Sequence, residues 1–309
     1  MIVPVLALSA MVTLASSWVG STMQGDIIAY AGPCPMGDTR FLQYSVFAAD
    51  LKRNLRATIR RDVIVAQLAW SPDGRQLAFA MRAHDHSSWD LYVMDANGDH
   101  SLIHASTTEN ETYPTWSPDG KRLGFMRSAP VRDQALQFRA LDIDSGVIQR
   151  ISVGDLTFFN PVWSPDGKDL LFAAIARREN APDSYNIYTM NLESGETNFL
   201  TDDFFDNHSP DWSPDGGQIV YIRAKRDAAG HNYEVRLLSL SGDGVRLHES
   251  DKALWSPRWS PDGKRIGFIA VEFDFDLSER RNLHVMDADG GDVRRLGLPC
   301  YVTDYSWRP

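Results

Sequence analysis

Trp70-Ser71-Pro72-Asp73-Gly74 returns four more times in this chain, at residues 116–120, 163–167, 212–216 and 259–263. The tryptophans stand 46 to 49 residues apart, and a cut-off sixth copy, Trp307-Arg308-Pro309, follows the fifth after 48. A fixed period in the forties marks a repeat architecture, in which one supersecondary unit is stacked many times. Within the motif, Pro presets φ for a turn, Asp bonds nearby backbone and Gly supplies the positive φ that follows.

Working outward from the fifth copy, Ser256 to Trp259 reads as a strand and Ser260 to Gly263 as a tight turn. Arg265 to Ile269, Asn282 to Asp287 and Val293 to Leu296 read as three further strands. Four short strands per repeat are the pattern of a β-propeller blade. A tryptophan at one fixed position, here Trp70, Trp116, Trp163, Trp212, Trp259 and Trp307, suits the wedge between neighbouring sheets.

The run from Trp259 to Phe268, followed by Leu283 to Gly291, resembles the WD40-like repeat of the TolB β-propeller superfamily. That resemblance covers nearly everything after residue 25. It implies fold far more than function, because such repeats serve interaction domains, enzyme appendages and some enzymes. Prolyl-oligopeptidase-like peptidases carry a related propeller beside a hydrolase domain with a Gly-x-Ser-x-Gly elbow, and this sequence has no such motif. The family's namesake adds an N-terminal domain for its envelope partners; no matching stretch precedes the first repeat here, so that role is not carried over.

The repeats open mid-blade. Ile27 to Tyr30, Gln43 to Ala48 and Arg56 to Arg60 match the second, third and fourth strands, while Asp304 to Trp307 matches the missing first strand. We therefore expect an all-β fold: six four-stranded antiparallel blades, closed by a C-terminal strand that completes the N-terminal blade. Closure would remove the free sheet edges that invite aggregation. One propeller over residues 26–309 is expected.

Residues 3–15 form an apolar run ending in small side chains, which reads as the core of a secretory signal within residues 1–22. No Lys or Arg precedes the run and Pro4 lies in it; extended to Val19 it would be a marginal membrane anchor. The expectation is export to a periplasmic, cell-envelope or extracellular location, with no membrane span unless the leader is retained. The two cysteines, Cys34 and Cys300, fall beside antiparallel neighbours of the composite blade and are expected to form a disulfide in an oxidising compartment.

A net charge of −10 argues against a nucleic-acid partner, which needs a basic footprint. Loop lengths divide the two ends of the ring. The Ser-Pro-Asp-Gly turns and the links between third and fourth strands are tight. The loops joining second to third strands, at residues 82–89, 127–136, 176–184, 223–232 and 271–281, are long and individual. Variable loops on a rigid scaffold are where binding residues gather.

On that long-loop face we single out His84, His86, Arg127, Arg178, Phe205, His208, Arg223, His231 and Trp255 as candidate ligand-binding residues. The loop Asp202 to His208 mixes carboxylates with aromatics and suits a cation or a basic peptide, while the arginines and Lys225 would suit a carboxylate or phosphate. Ordinary solvated loop residues are the competing reading for each. The histidines show no complete ligand set at a recognisable spacing, so no metal ion and no cofactor are expected. Asp95 to Asp99 and Asp287 to Gly290 are read as turns rather than calcium loops.

The reading is a monomeric, non-catalytic propeller that binds a protein, peptide or glycan through its long-loop face. The alternative is a small propeller enzyme, a lyase, hydrolase or lactonase, acting at the channel mouth.

Overall fold

The computed structural model describes residues 26–309 except 37–38, 52–54, 62–63, 83–87, 96–99, 105–108, 129–135, 153–155, 177–182, 228–229 and 274–278. Three strands come first: β1 (Ile27–Met36), β2 (Thr39–Asp50) and β3 (Leu55–Arg61). Then follow two full blades, β4 (Ile64–Trp70), β5 (Gln76–Arg82), β6 (Asp90–Asp95), β7 (His100–His104), and β8 (Asn110–Trp116), β9 (Arg122–Ser128), β10 (Gln137–Asp142), β11 (Ile148–Ile151). The third and fourth are β12 (Phe158–Trp163), β13 (Asp169–Ala176), β14 (Ser184–Asn191), β15 (Thr197–Phe199), and β16 (Asp206–Trp212), β17 (Gln218–Asp227), β18 (Gly230–Ser239), β19 (Gly244–Ser250). The fifth is β20 (Leu254–Trp259), β21 (Arg265–Phe273), β22 (Glu279–Asp287), β23 (Arg294–Arg295), and β24 (Asp304–Trp307) ends the chain.

Every sheet has four antiparallel strands in sequence order, except the composite one, ordered β24-β1-β2-β3. There the last strand pairs with the first, Ile28 with Trp307 and Ala31 with Asp304. First strands pack against one another in the cycle β4, β8, β12, β16, β20, β24 and back to β4. The expected six-bladed propeller, closed by its C-terminal strand, is the fold observed.

The core lies between blades. Trp116 packs with Ala78 and Val93 of the preceding blade and with Leu123 and Phe125 of its own. Trp307 packs with Ile269 and Leu283 on one side and with Ile28 and Tyr30 on the other. All six repeat tryptophans are buried. Arginines cover several of them, Arg122 over Trp163 at 4.6 Å, Arg265 over Trp307 at 5.3 Å and Arg308 over Trp70 at 5.4 Å from the ring centroids, a favourable cation–π placement.

The motif turn forms as its residues dictate. In the first copy the Ser71 hydroxyl donates to Asp73 Oδ1 at 2.6 Å, and that carboxylate also accepts the Arg75 N–H at 3.0 Å. The Gly74 N–H closes the turn on the Ser71 carbonyl at 2.8 Å, with φ at +66°. The other four copies repeat the Ser–Asp hydrogen bond. These hydrogen bonds hold Asp73, Asp119, Asp166 and Asp215 below the usual carboxylate range. The aspartates are thus turn-builders.

Candidate functional site at the channel mouth

The feature that shapes the site recurs three residues before the first five of the six repeat tryptophans. Gln67, Tyr113, Asn160, Ser209 and Ser256 all adopt positive φ, between 47° and 54°. Non-glycine residues seldom do so, and repeated instances mark an imposed geometry. At each of these points the pairing register of the first strand shifts, as between Thr112 and Thr115 against β9. In four blades the next residue is proline (Pro114, Pro161, Pro210, Pro257), which cannot donate to a ladder and so belongs in a bulge. The bulges bring residues three and four before each tryptophan to the channel mouth, at the end of the ring where the first strands begin.

Residues four before the tryptophan differ around the ring. They are Ala66, Thr112 and Thr303 on one side, and Phe159, His208 and Trp255 on three consecutive blades. A pocket of about 360 Å³ opens over this aromatic half. Tyr113 joins it from β8, and Tyr185 and Tyr233 from the third strands of their blades; Asp206 and Lys225 bring charge. Phe159 meets Tyr185 edge-on at 5.8 Å, and the His208 ring lies 4.8 Å from that of Trp255. Trp255 remains 45% exposed, unusual for so large an apolar side chain.

His208 Nδ1 lies 3.1 Å from the Ser209 hydroxyl. Burial pulls its imidazole down to about 4, so it is neutral at physiological pH. Below the pocket the central channel holds a further cavity of about 320 Å³, sharing Tyr113, Asn160, Ser209 and Trp255 with it. Asp211, Arg258 and Asp304 line this channel. Burial pushes Asp211 up to about 6, opposed by the Trp259 N–H it accepts at 2.9 Å. Asp304 is also raised by burial, against the pull of Arg258, whose Nη2 is 3.3 Å from Asp304 Oδ1.

Of the residues singled out by sequence, His208 and Trp255 meet in this pocket. Phe205 and Arg223 stand behind it. The Arg223 guanidinium is ion-paired to Asp203, donates from Nε to Asn207 Oδ1 at 3.1 Å and covers the Phe205 ring at 5.1 Å. The pair therefore braces the loop that delivers His208. Arg127 is committed elsewhere, to Glu111 at 2.6 Å and Glu109 at 3.2 Å. Lys225 does reach the pocket, with its ammonium 2.5 Å from Glu234 Oε1. His231 takes its place in the β17–β18 ladder opposite Arg226. His84, His86 and Arg178 lie outside the described residues. Among the described residues, no three His, Cys, Asp or Glu side chains are grouped to hold a metal ion.

Sequence reasoning passed over Tyr113, Phe159, Tyr185 and Tyr233. The signal for two of them was available: aligning the copies on tryptophan shows Phe159, His208 and Trp255 in one column and Tyr113 in the next.

The TolB beta propeller domain family matches residues 43–244. None of the curated proteins matches the chain by sequence. Among solved structures, TolB from Acinetobacter baumannii superposes with a TM-score of 0.72 at 22% identity, over 95% of this chain and 70% of that one. The putative TolB from Agrobacterium tumefaciens gives 0.62 at 21% identity, over 89% of each chain. An oligogalacturonate lyase solved in complex with manganese gives 0.51 at 14% identity, over 88% of this chain and 85% of that one. At such identities the superpositions speak for the fold alone. The sequence match spans more than half of the chain, and the chain belongs to the TolB beta propeller domain family.

Proposed function

We propose that this protein is a non-catalytic recognition module, exported from the cytoplasm, that takes a group of a protein, peptide or glycan partner into the aromatic pocket at the channel mouth. The observation that carries this reading is the pocket itself: about 360 Å³, walled by aromatic side chains from consecutive blades. Its size falls in the range of ligand sites, and aromatic anchors give large contact area for little lost conformational freedom. Every first strand is fixed by its neighbours in the ring, so little ordering cost falls on binding.

The test is an array of peptides and glycans probed with the wild type and with Trp255→Ala. Trp255 is half exposed, so its loss should leave the fold intact. Captured ligands that depend on Trp255 support the reading; capture indifferent to it overturns the placement of the site. Turnover of a captured ligand, abolished by Asp211→Asn, would establish the enzymatic alternative instead.

Export is proposed from the apolar run at residues 3–15. With it goes a disulfide between Cys34 and Cys300. Support comes from the backbone: the Tyr301 N–H donates to the Pro33 carbonyl at 3.1 Å, which joins the residue next to Cys300, in the segment leading into β24, to the residue next to Cys34 of β1.

A further inference from the structure

The charged side chains around the aromatic pocket are unequally engaged. Lys225 is held at 2.5 Å by Glu234, which also pairs with Arg236 at 2.8 Å and Arg246 at 3.6 Å, and its ammonium lies 5.4 Å from the centre of the Phe205 ring. Arg223 is held by Asp203 and Asn207. His208 is neutral, with Nδ1 turned to Ser209. Asp206 is different. Its carboxylate accepts the Tyr185 N–H at 3.1 Å and forms no ion pair among the described residues. The one carboxylate lining the pocket therefore stands among Phe159, Tyr185, Tyr233 and Trp255 with no cation paired to it among the described residues.

Aromatic faces carry negative electrostatic potential and attract cations, alkylated ammonium groups above all. A carboxylate at the rim adds to that attraction.

Resting on the recognition reading above, we infer that the pocket selects an alkylammonium group carried on a peptide, a lysine-type side chain whose stem lies against the aromatic walls and whose charge is matched by Asp206. A net charge of −10 on the chain would steer such a basic partner toward it.

The experiment is calorimetric titration of the full chain with three capped amino acids, N-acetyl methylamides of lysine, trimethyllysine and norleucine, and with glucosamine. Norleucine keeps the stem and lacks the charge. We expect trimethyllysine to bind about tenfold more tightly than norleucine, with lysine between them. Asp206→Asn should weaken both cationic probes severalfold and leave norleucine unchanged, while Trp255→Ala weakens all three. Equal binding of norleucine and the cationic probes would overturn the charge selection, as would indifference to Asp206→Asn. Glucosamine bound more tightly than lysine would overturn the peptide source. If no cationic probe binds while array ligands still depend on Trp255, the inference falls and the recognition reading stands. If array ligands ignore Trp255, the recognition reading falls first.

Discussion

The backbone N–H of Leu68 donates to Asp304 Oδ2 at 2.5 Å, joining residues 236 positions apart. Leu68 occupies the bulge position that is proline in the next four blades, so its N–H needs an acceptor that those blades do not require. Asp304 supplies it from the last strand, while Arg258 holds the other carboxylate oxygen at 3.3 Å. Asp304→Ala would leave a buried N–H unpaired and remove a partner from a partly buried guanidinium. A loss of about 3 kcal/mol is expected, read by urea unfolding. A change under about 0.5 kcal/mol, the range of a neutral surface substitution, would contradict this account of ring closure.

Gly32 gives a second handle on closure. A Cβ built there would lie 1.6 Å from the Tyr301 carbonyl oxygen, a backbone atom with no room to yield. Gly32→Ala should therefore part β1 from the segment leading into β24. Deleting residues 301–309 should have the same effect. Both variants should unfold well below the wild type in a thermal melt, and wild-type melting of either would refute closure as a source of stability.

Two of the titrating groups near the channel, His208 and Asp211, oppose each other. His208 sits at about 4 against an ordinary 6.5, so between those values the unfolded chain takes up the proton and the folded chain does not. Acidification through that window destabilises the fold, by up to about 3 kcal/mol. Asp211 sits at about 6 against 3.8, so between those values the folded chain keeps a proton that the unfolded chain releases. Its contribution, also up to about 3 kcal/mol, grows as pH falls. Relative to wild type, His208→Gln should gain stability from pH 7 to pH 4, and Asp211→Asn should lose it. Parallel pH profiles for all three proteins would contradict these environments.

The proposed Cys34–Cys300 bridge predicts that reductant lowers the melting temperature of exported protein, with a stability loss of about 2–4 kcal/mol. Cys300→Ser should melt where the reduced wild type does and no longer respond to reductant. A reductant-insensitive wild type would remove the bridge from the account.

The fold was legible because one cheap device is used five times. Ser-Pro-Asp-Gly closes a turn through its own side chains, and the tryptophan before it fills the space between sheets, so spacing alone counted blades. Splitting one blade between Ile27–Met36 and Asp304–Trp307 was equally visible as two fragments of one pattern. The pocket is harder to read because charged loop residues are the more conspicuous pattern in the sequence. Arg127 and Arg223 carry charges that folding spends on Glu111 and Asp203, which only three-dimensional pairing reveals. Tyr185 and Tyr233 enter from third strands behind long loops, where no fixed offset from the tryptophan identifies them. His208 and Trp255 read as loop residues in the sequence, yet they are strand residues turned to the mouth by a left-handed bulge at Ser209 and Ser256.

The most direct measurement is amide hydrogen exchange on the full chain, with and without a ligand from the array whose capture requires Trp255. The account predicts added protection at the mouth ends of β8, β12, β16 and β20 and at the starts of β14 and β18, with the Ser-Pro-Asp-Gly turns unchanged. Protection confined to those turns, or to the outer strands β15, β19 and β23, would place recognition elsewhere on the propeller and contradict the central claim.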